Sequence, residues 1–380
     1  MTHGNPDTPA PRKLLYVHMA ALGDAIMSSA ALRLLRGGLP GWEIHVLARS
    51  HVQGYFQRLP TVDTVVPFVA EKHVDRRRPW KLAGGADEVL RLLGRLGGEH
   101  YDAVVQWRGQ LPDTLLSAWT RAPHRVAAVQ SIHRKGFLPV EKVPFLVTDL
   151  VSVSGPHTHL VEAMAAPVRF LVRKLGGRLP DRPDLTLDYP LRPADHAEAR
   201  AFMDASGLAE TDSFAIVCIS ARSQLSVWSE ERFARVADHV QQRHGLRVVL
   251  TGLPEHRDRE NAVAGAMRTL PVRAVGRISF GAECALLARS RLLVSLNTGI
   301  MHVAAALGVP VVVVNGRDGA CHAPWRVPHR MVTRNPFYPQ RHPDPRQWGR
   351  LVSLVPASEV EAAIDDLLRE IRCETADAHA

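Results

Sequence analysis

In the stretch HMAALGDAIMSSAALRLL, Gly23 and Asp24 follow one apolar run and open another. Asp24 then stands at the carboxyl end of a strand and at the start of a helix. A carboxylate there caps the helix, or it takes a proton from an acceptor hydroxyl as a general base at the floor of a cleft. In SLNTGIMHVAAALGVPVVVVNG, Asn297, Thr298 and Gly299 follow the apolar run 292–296 and precede a small-residue helix, 301–307. Backbone N–H groups at such a helix start attract anions and suit a diphosphate. Thr298 caps that helix or donates to a phosphate oxygen, and His302 in the first turn offers another donor. A plain strand–turn–helix crossing with a capping Thr accounts for the same spacing. In VVLTGLPEHRD, Glu255 follows a strand end. An acidic side chain there accepts from a ribose hydroxyl, although Glu near a helix start is common for electrostatic reasons alone.

Other chemistries lack their residues. No GxGxxG dinucleotide loop, no Walker A sequence and no Asp-x-Asp at a strand end is present. Asp365 and Asp366 read as the solvated face of a closing helix. His322, His329 and His342 sit in a Pro-rich stretch without regular ligand spacing, so no metal is expected there. The four cysteines, Cys218, Cys284, Cys321 and Cys373, show no CxxC spacing. Buried free thiols are expected, with neither a disulfide framework nor a zinc site.

The elements that must position these residues alternate. Apolar runs at 13–19, 43–49, 62–68 and 101–107 read as strands, and helical spacing marks 25–36, 86–96 and 157–176, the last broken at Pro167. Residues 177–195 are Pro-rich and polar, as in a linker. The pattern restarts with strands at 214–220, 247–252, 292–296 and 311–314. Helices are expected at 230–245, ended by Gly245, near 255–268, at 280–290 and at 357–371. Strand–helix alternation in both halves predicts an α/β fold of two parallel-sheet domains. The expected division is a disordered lead-in at 1–12, a first domain at 13–176 and a linker at 177–212. A second domain at 213–350 and a closing helix and tail at 351–380 follow. Ligands of such sheets lie beyond the carboxyl ends of the strands, here in a cleft between the domains.

The chain has 380 residues and is 46% hydrophobic and 22% charged, as ordinary globular proteins are. Its N-terminus, MTHGNPDTPAPRK, has no signal-peptide core, and its longest apolar stretch, Val303 to Val314, is too short to span a bilayer. A cytoplasmic location is expected, with peripheral contact at the cytoplasmic face of the inner membrane left open. The net charge is +9. Residues 1–195 hold 25 Lys and Arg against 18 Asp and Glu, a net +7, and the remainder holds 22 against 20, a net +2. A basic first half suits an anionic partner. No aromatic–basic motif supports nucleic acid as that partner.

Together these stretches resemble the heptosyltransferases of lipopolysaccharide core synthesis, glycosyltransferase family 9. KLLYVHMAALGDAIMSSAALRLLR is similar to the family's opening strand, Ser/Leu-rich loop, Gly-Asp and helix. YDAVVQWRGQLPDTLLSAWTRAPHRVA is similar to its Tyr-Asp strand, helix and Arg-containing segment. VGRISFGAECALLARSRLLVSLNTGIMHVAAALGVPVVVVNG resembles its most specific block, and APWRVP fits the Pro-Trp after it. The resemblance runs from about residue 13 to 370. It implies a GT-B fold, two Rossmann-like domains facing across a cleft. It also implies inverting, metal-independent transfer of a heptose from ADP-heptose, with no cofactor beyond the nucleotide-sugar co-substrate. Asp24 matches the catalytic base, Glu255 the acidic residue that holds the nucleotide, and Thr298, Gly299 and His302 the diphosphate loop. The second half is then the donor domain and the first half the acceptor domain, which agrees with the charge split if the acceptor is an anionic saccharide. Arg108, Arg121, Arg125, Arg134 and Lys135 are candidates to grip it.

Two positions depart from the family pattern. Ser226 replaces the Lys expected two residues before Trp228, and Asn297 replaces the Asp before Thr-Gly. Arg222 is the candidate to supply the missing cation. Losing a cation and an anion together implies a changed donor pocket, for another nucleotide sugar or for a natural-product acceptor. The alternative is a catalytically degenerate nucleotide-sugar-binding protein of the same fold.

Overall fold

The computed structural model describes residues 11–68, 85–129, 138–153, 155, 158–220, 228–316, 319–341, 344 and 347–377. They form two compact units that divide between Leu185 and Thr186.

The first unit is one parallel sheet covered by helices. Its strands are β1 (Lys13–His18), β2 (Glu43–Arg49), β3 (Thr64–Phe68), β4 (Ala103–Gln106), β5 (His124–Val129) and β6 (Asp149–Ser152), in the order β3-β2-β1-β4-β5-β6. The helices are α1 (Leu22–Met27), α2 (Ser29–Gly38), α3 (Ser50–Phe56), α4 (Gly85–Gly98), α5 (Leu111–Trp119) and α6 (Leu160–Lys174). Central β1 reads as an unbroken apolar run because both faces of the sheet are covered. Tyr16 at its middle pairs with Val46 of β2 and Val105 of β4.

Two expectations need correcting here. The helix foreseen at 25–36 is two helices meeting at Ser28. The Ser28 and Ser29 hydroxyls donate back to the carbonyls of Ala25 and Ile26, each at 2.7 Å, a pairing that competes with straight helix. Conversely, α6 is not broken at Pro167. The apolar face that includes Met164, Val168 and Leu171 is buried, and this packing outweighs the lost N–H.

The second unit repeats the plan. Its elements are α7 (Pro193–Ala205), β7 (Phe214–Cys218), α8 (Glu230–His244), β8 (Arg247–Thr251), α9 (Arg257–Ala266), β9 (Val272–Arg273), α10 (Phe280–Leu287) and β10 (Leu293–Leu296). They continue with α11 (Gly299–Ala306), β11 (Val311–Asn315), β12 (His329–Thr333), α12 (Trp348–Ser353) and α13 (Ala357–Asp377). The sheet order is β12-β11-β10-β7-β8-β9, all parallel. Counted within its own unit, each sheet reads 3-2-1-4-5-6, the dinucleotide-binding arrangement.

α8 ends where Gly245 takes the left-handed conformation, with φ 66°. Trp228 is fully buried and its Nε1 donates to the Val355 carbonyl at 2.8 Å. This fastens the approach to α8 to the segment before α13, which sinks Val360, Ile364 and Leu367 into the core. Part of the expected linker at 177–212 is helix α7, and its Glu198 accepts from both N and Oγ of Ser279, the N-cap of α10.

Cys218, Cys284 and Cys321 are buried and in no disulfide, whereas Cys373 is exposed, against expectation, because it faces outward from α13. Among the described residues no helix is long and apolar enough to cross a membrane.

Candidate functional site

In a 3-2-1-4-5-6 sheet the chain leaves its first and fourth strands toward opposite sides of the sheet. A crevice therefore opens between the carboxyl ends of the first and fourth strands. In the first unit that crevice lies between β1 and β4, and Asp24 stands beside it in the first turn of α1. The carboxylate is half-buried and its Oδ2 accepts from the Ala21 N–H at 3.2 Å. Capping and a place at the ligand edge therefore coexist in one side chain.

The groups around Asp24 set its electrostatics. His18 ends β1 fully buried, with its ring centroid 5.1 Å from Phe56 and 6.1 Å from Trp107. Burial lowers its pKa to about 4, against the upward pull of Asp24, so the imidazole is neutral at pH 7 and leaves the Asp24 charge uncancelled. Arg108, just past β4, donates to the Met19 carbonyl at 3.0 Å and to Gln110 Oε1 at 2.7 Å. It thereby braces the loop that leads into Asp24. Gly109 follows it where an added Cβ would run into the Ala128 carbonyl and Val140, so only glycine lets the backbone pass so close to β5.

Two further groups complete this edge. Arg49 closes β2, and Asp113 lies buried in the first turn of α5. Burial raises the Asp113 pKa to about 6, and the charges of Arg108 and Arg49 pull it back. Burial, followed by Arg108, lowers the Arg49 pKa. Arg49 Nε and Asp113 Oδ2 are buried with no hydrogen-bond partner among the described residues. The first unit thus offers a carboxylate at its crevice beside two guanidinium groups. That combination can receive a proton and hold an anionic neighbour of the reacting hydroxyl.

The second unit has its crevice between β7 and β10. Asn297 and Thr298 join β10 to α11, with Thr298 as an extended N-cap of φ −134°. Its Oγ1 donates to the Leu296 carbonyl at 3.4 Å and does not cap the helix, so the opening N–H groups of α11 receive no side-chain cap. Gly299 opens α11, and His302 is buried in its first turn. Asn297 Nδ2 donates to Oδ1 of buried Asn315, at the end of β11, at 3.3 Å.

Glu255 lies exposed in the turn Pro254–His256 after β8, at the same carboxyl edge. The Ser220 hydroxyl ties the ends of β7 and β8 together: it accepts from the Leu253 N–H at 3.0 Å and lies 3.3 Å from His256 Nδ1. Arg259 of α9 donates to the Ile219 carbonyl at 2.8 Å and to the Trp228 carbonyl, and its Nε lies 3.1 Å from Glu230. It bridges the end of β7 to Trp228. Arg222 and Ser226 lie outside the described residues, as do Arg134, Lys135 and His342.

The structure therefore gathers Glu255, Asn297, Thr298, Gly299 and His302 at one edge of the second unit, and Asp24 and Arg108 at one edge of the first. It does not bring Arg121 or Arg125 to Asp24. α5 carries the chain from the carboxyl edge of β4 back to the amino edge of β5, where both arginines lie. Arg121 is exposed with φ 55°. The Arg125 guanidinium is occupied by the carbonyls of Leu146 at 3.0 Å and Ala122 at 2.5 Å.

Sequence reasoning missed His18, Arg49, Asp113 and Glu283. Glu283 is buried in α10, and burial raises its pKa to about 7 while the nearby Thr251 hydroxyl pulls it down. The signal for Arg49 and His18 was there to use, since each is the last residue of a central strand. Asp365 is half-buried and not on a solvated face, because two histidines of α8 turn toward it.

The sequence profile described as glycosyltransferase family 9 (heptosyltransferase) matches residues 89–335. A protein named lipopolysaccharide heptosyltransferase 3 from Escherichia coli is 28% identical over 358 residues, covering 91% of this chain and 96% of its own. The lipopolysaccharide core heptosyltransferase OpsX of Haemophilus influenzae is 21% identical, covering 80% of this chain and 79% of its own. Among solved structures, a glycosyltransferase family 9 protein from Veillonella parvula aligns with a TM-score of 0.71 at 20% identity, over 94% of this chain and 97% of its own. The E. coli heptosyltransferase WaaC, solved with ADP, aligns with a TM-score of 0.67 at 20% identity, over 93% of this chain and 99% of its own. The fold is the α/β, GT-B fold of these structures.

Proposed function

Since the chain belongs to glycosyltransferase family 9, the heptosyltransferases, we propose that it transfers a heptose from ADP-heptose, with inversion, to a hydroxyl of an anionic saccharide or natural-product acceptor. The observation that carries this reading is Asp24, a half-buried carboxylate beside the β1/β4 crevice, backed by a neutral imidazole and flanked by arginine.

In the proposed reaction Asp24 takes the proton of the acceptor hydroxyl as its oxygen attacks the anomeric carbon. The bond to the nucleoside diphosphate breaks on the opposite face, which inverts the configuration. Charge gathers on the leaving diphosphate. The uncapped N–H groups and the dipole at the start of α11, with His302, offset that charge without a metal ion. Glu255 accepts from the ribose. Arg108 and Arg49 hold an anionic group of the acceptor near the reacting hydroxyl. We place the reaction in the cytoplasm, where nucleotide sugars are substrates.

A second reading, a nucleotide-sugar-binding protein without turnover, draws on Asn297, whose amide is engaged with Asn315 where the family pattern has a carboxylate. Calorimetry with ADP-, GDP-, UDP- and dTDP-sugars, with product detection in parallel, separates the possibilities. Selective binding and turnover of ADP-heptose is the expected result. Preference for another nucleotide would remove the heptose from the proposal, and binding without transfer to any acceptor would favour the second reading.

A further inference from the structure

We propose that His239, His244 and Asp365 form a binding site for one zinc-class divalent transition ion, which staples α13 to the end of α8. His239 lies in the last two turns of α8, His244 is its last residue, and Asp365 is at the middle of α13. Both imidazole Nε2 atoms converge on one carboxylate oxygen, Asp365 Oδ1, at 2.8 Å and 2.7 Å. The three ligand atoms lie within 4.8 Å of one another, and among the described residues this is the group of such side chains close enough to share an ion. Two imidazoles and a carboxylate are a donor set zinc favours, with water in the remaining position.

The spacing is close to what an ion needs. With bonds of about 2.0–2.2 Å, tetrahedral ligand atoms stand roughly 3.4 Å apart. Each Nε2 must therefore move back from Oδ1 by about 0.6 Å, within reach of small side-chain rotations. Each ring must also present a bare Nε2, so its proton moves to Nδ1. The side chains are 19%, 7% and 24% exposed, which leaves an entry path and shields the site from bulk water.

The site is separate from the proposed chemistry. α8 runs from the carboxyl edge of the second sheet, near Glu230, to its amino edge at His244, away from the mouth of α11. The ion would therefore hold the closing helix and take no part in transfer. Sequence inspection could not find this group, because Asp365 is 121 residues from His244.

The test uses the full chain without an affinity tag, stripped with a chelator. Zinc chloride is titrated by calorimetry and Tm is recorded with and without zinc. Cobalt is added separately to read visible d–d absorption. One zinc per chain, a raised Tm and a low-symmetry cobalt spectrum are expected. His239→Gln or His244→Gln, which keeps a side-chain N–H for Asp365, should each weaken binding by about tenfold or more, and the double variant should abolish it. Asp365→Asn provides a further variant if either glutamine change fails to fold. Absence of stoichiometric zinc, or undiminished binding in the folded double variant, would overturn the site.

Discussion

Glu283, Asp113 and His18 are ionisable groups that the fold buries, and burial shifts each toward its neutral form. The consequences have opposite signs. The folded-state pKa of Glu283, about 7, is above its ordinary value, so its contribution is full at low pH and is lost as pH rises through 7. Asp113, raised to about 6, behaves the same way. His18, lowered to about 4, contributes above its ordinary pKa and loses that contribution as pH falls toward 4. Glu283→Gln removes one carboxyl without emptying its space. The variant is predicted to be more stable than wild type by about 3 kcal/mol at pH 8 and by less than about 1 kcal/mol at pH 5. Urea unfolding at the two pH values checks this; an equal gap at both would mean that Glu283 is not the titrating group.

The placement of Asp24, Glu255, Asn297, Thr298, Gly299 and His302 at carboxyl strand ends was legible in the sequence, because each lies within a few residues of an apolar run. Asp113 and Glu283 were not, because their burial is a tertiary fact. Arg121 and Arg125 lie at the other edge of the sheet from Arg108, because one helix length undoes their nearness in the chain.

Arg259 and Trp228 act at the level of elements. Arg259 holds the carbonyls of Ile219 and Trp228 from α9. Arg259→Gln shortens that reach. It is predicted to raise the KM for the donor by roughly tenfold while the acceptor KM stays within about twofold, as expected when one charged hydrogen bond worth about 1.5–3 kcal/mol is lost. Steady-state kinetics with each substrate varied in turn read the split, and a parallel rise in both KM values would contradict a donor-specific role. Trp228→Phe keeps an aromatic ring but removes the N–H-bearing half of the indole, which orphans the buried Val355 carbonyl and leaves a small cavity. A loss of about 1–3 kcal/mol is predicted by thermal or urea unfolding, and a variant as stable as wild type would mean that the bond does not fasten α13.

The central strands were readable as elements because apolar runs covered on both faces leave little ambiguity. The edge strands β6, β9 and β12 were not, since they are short or carry polar residues such as Asp149, His329 and Arg330, and interior β5 was hidden by its opening His124 and Arg125. Pro167 was overread, because the burial of α6 outweighs one missing N–H.

At the scale of the whole molecule, the restart of the strand–helix pattern near residue 214 was visible, and the two sheets with one strand order bear out the α/β reading. The division at Leu185–Thr186, with α7 belonging to the second unit, was hidden, because a Pro-rich stretch looks like a linker whether or not a helix follows it. Each unit has its own sheet and buried core. The fragment 186–380 is therefore predicted to unfold cooperatively and to bind the nucleotide sugar with an affinity within about tenfold of the full chain, yet to transfer nothing, because Asp24 is in the other unit. Calorimetry on the fragment tests this. A folded fragment that binds no donor would place essential donor contacts in residues 1–185.

The most direct test of the account is transfer by Asp24→Asn. Asparagine retains an oxygen to accept from the Ala21 N–H, so the start of α1 and the fold should be preserved. The measurement is the transfer rate from ADP-heptose to a panel of anionic saccharides, beside the donor Kd, for wild type and variant. An unchanged donor Kd and a rate lower by about 10²–10⁴-fold are predicted. A variant that transfers at the wild-type rate would reduce Asp24 to a helix cap and contradict the proposed mechanism.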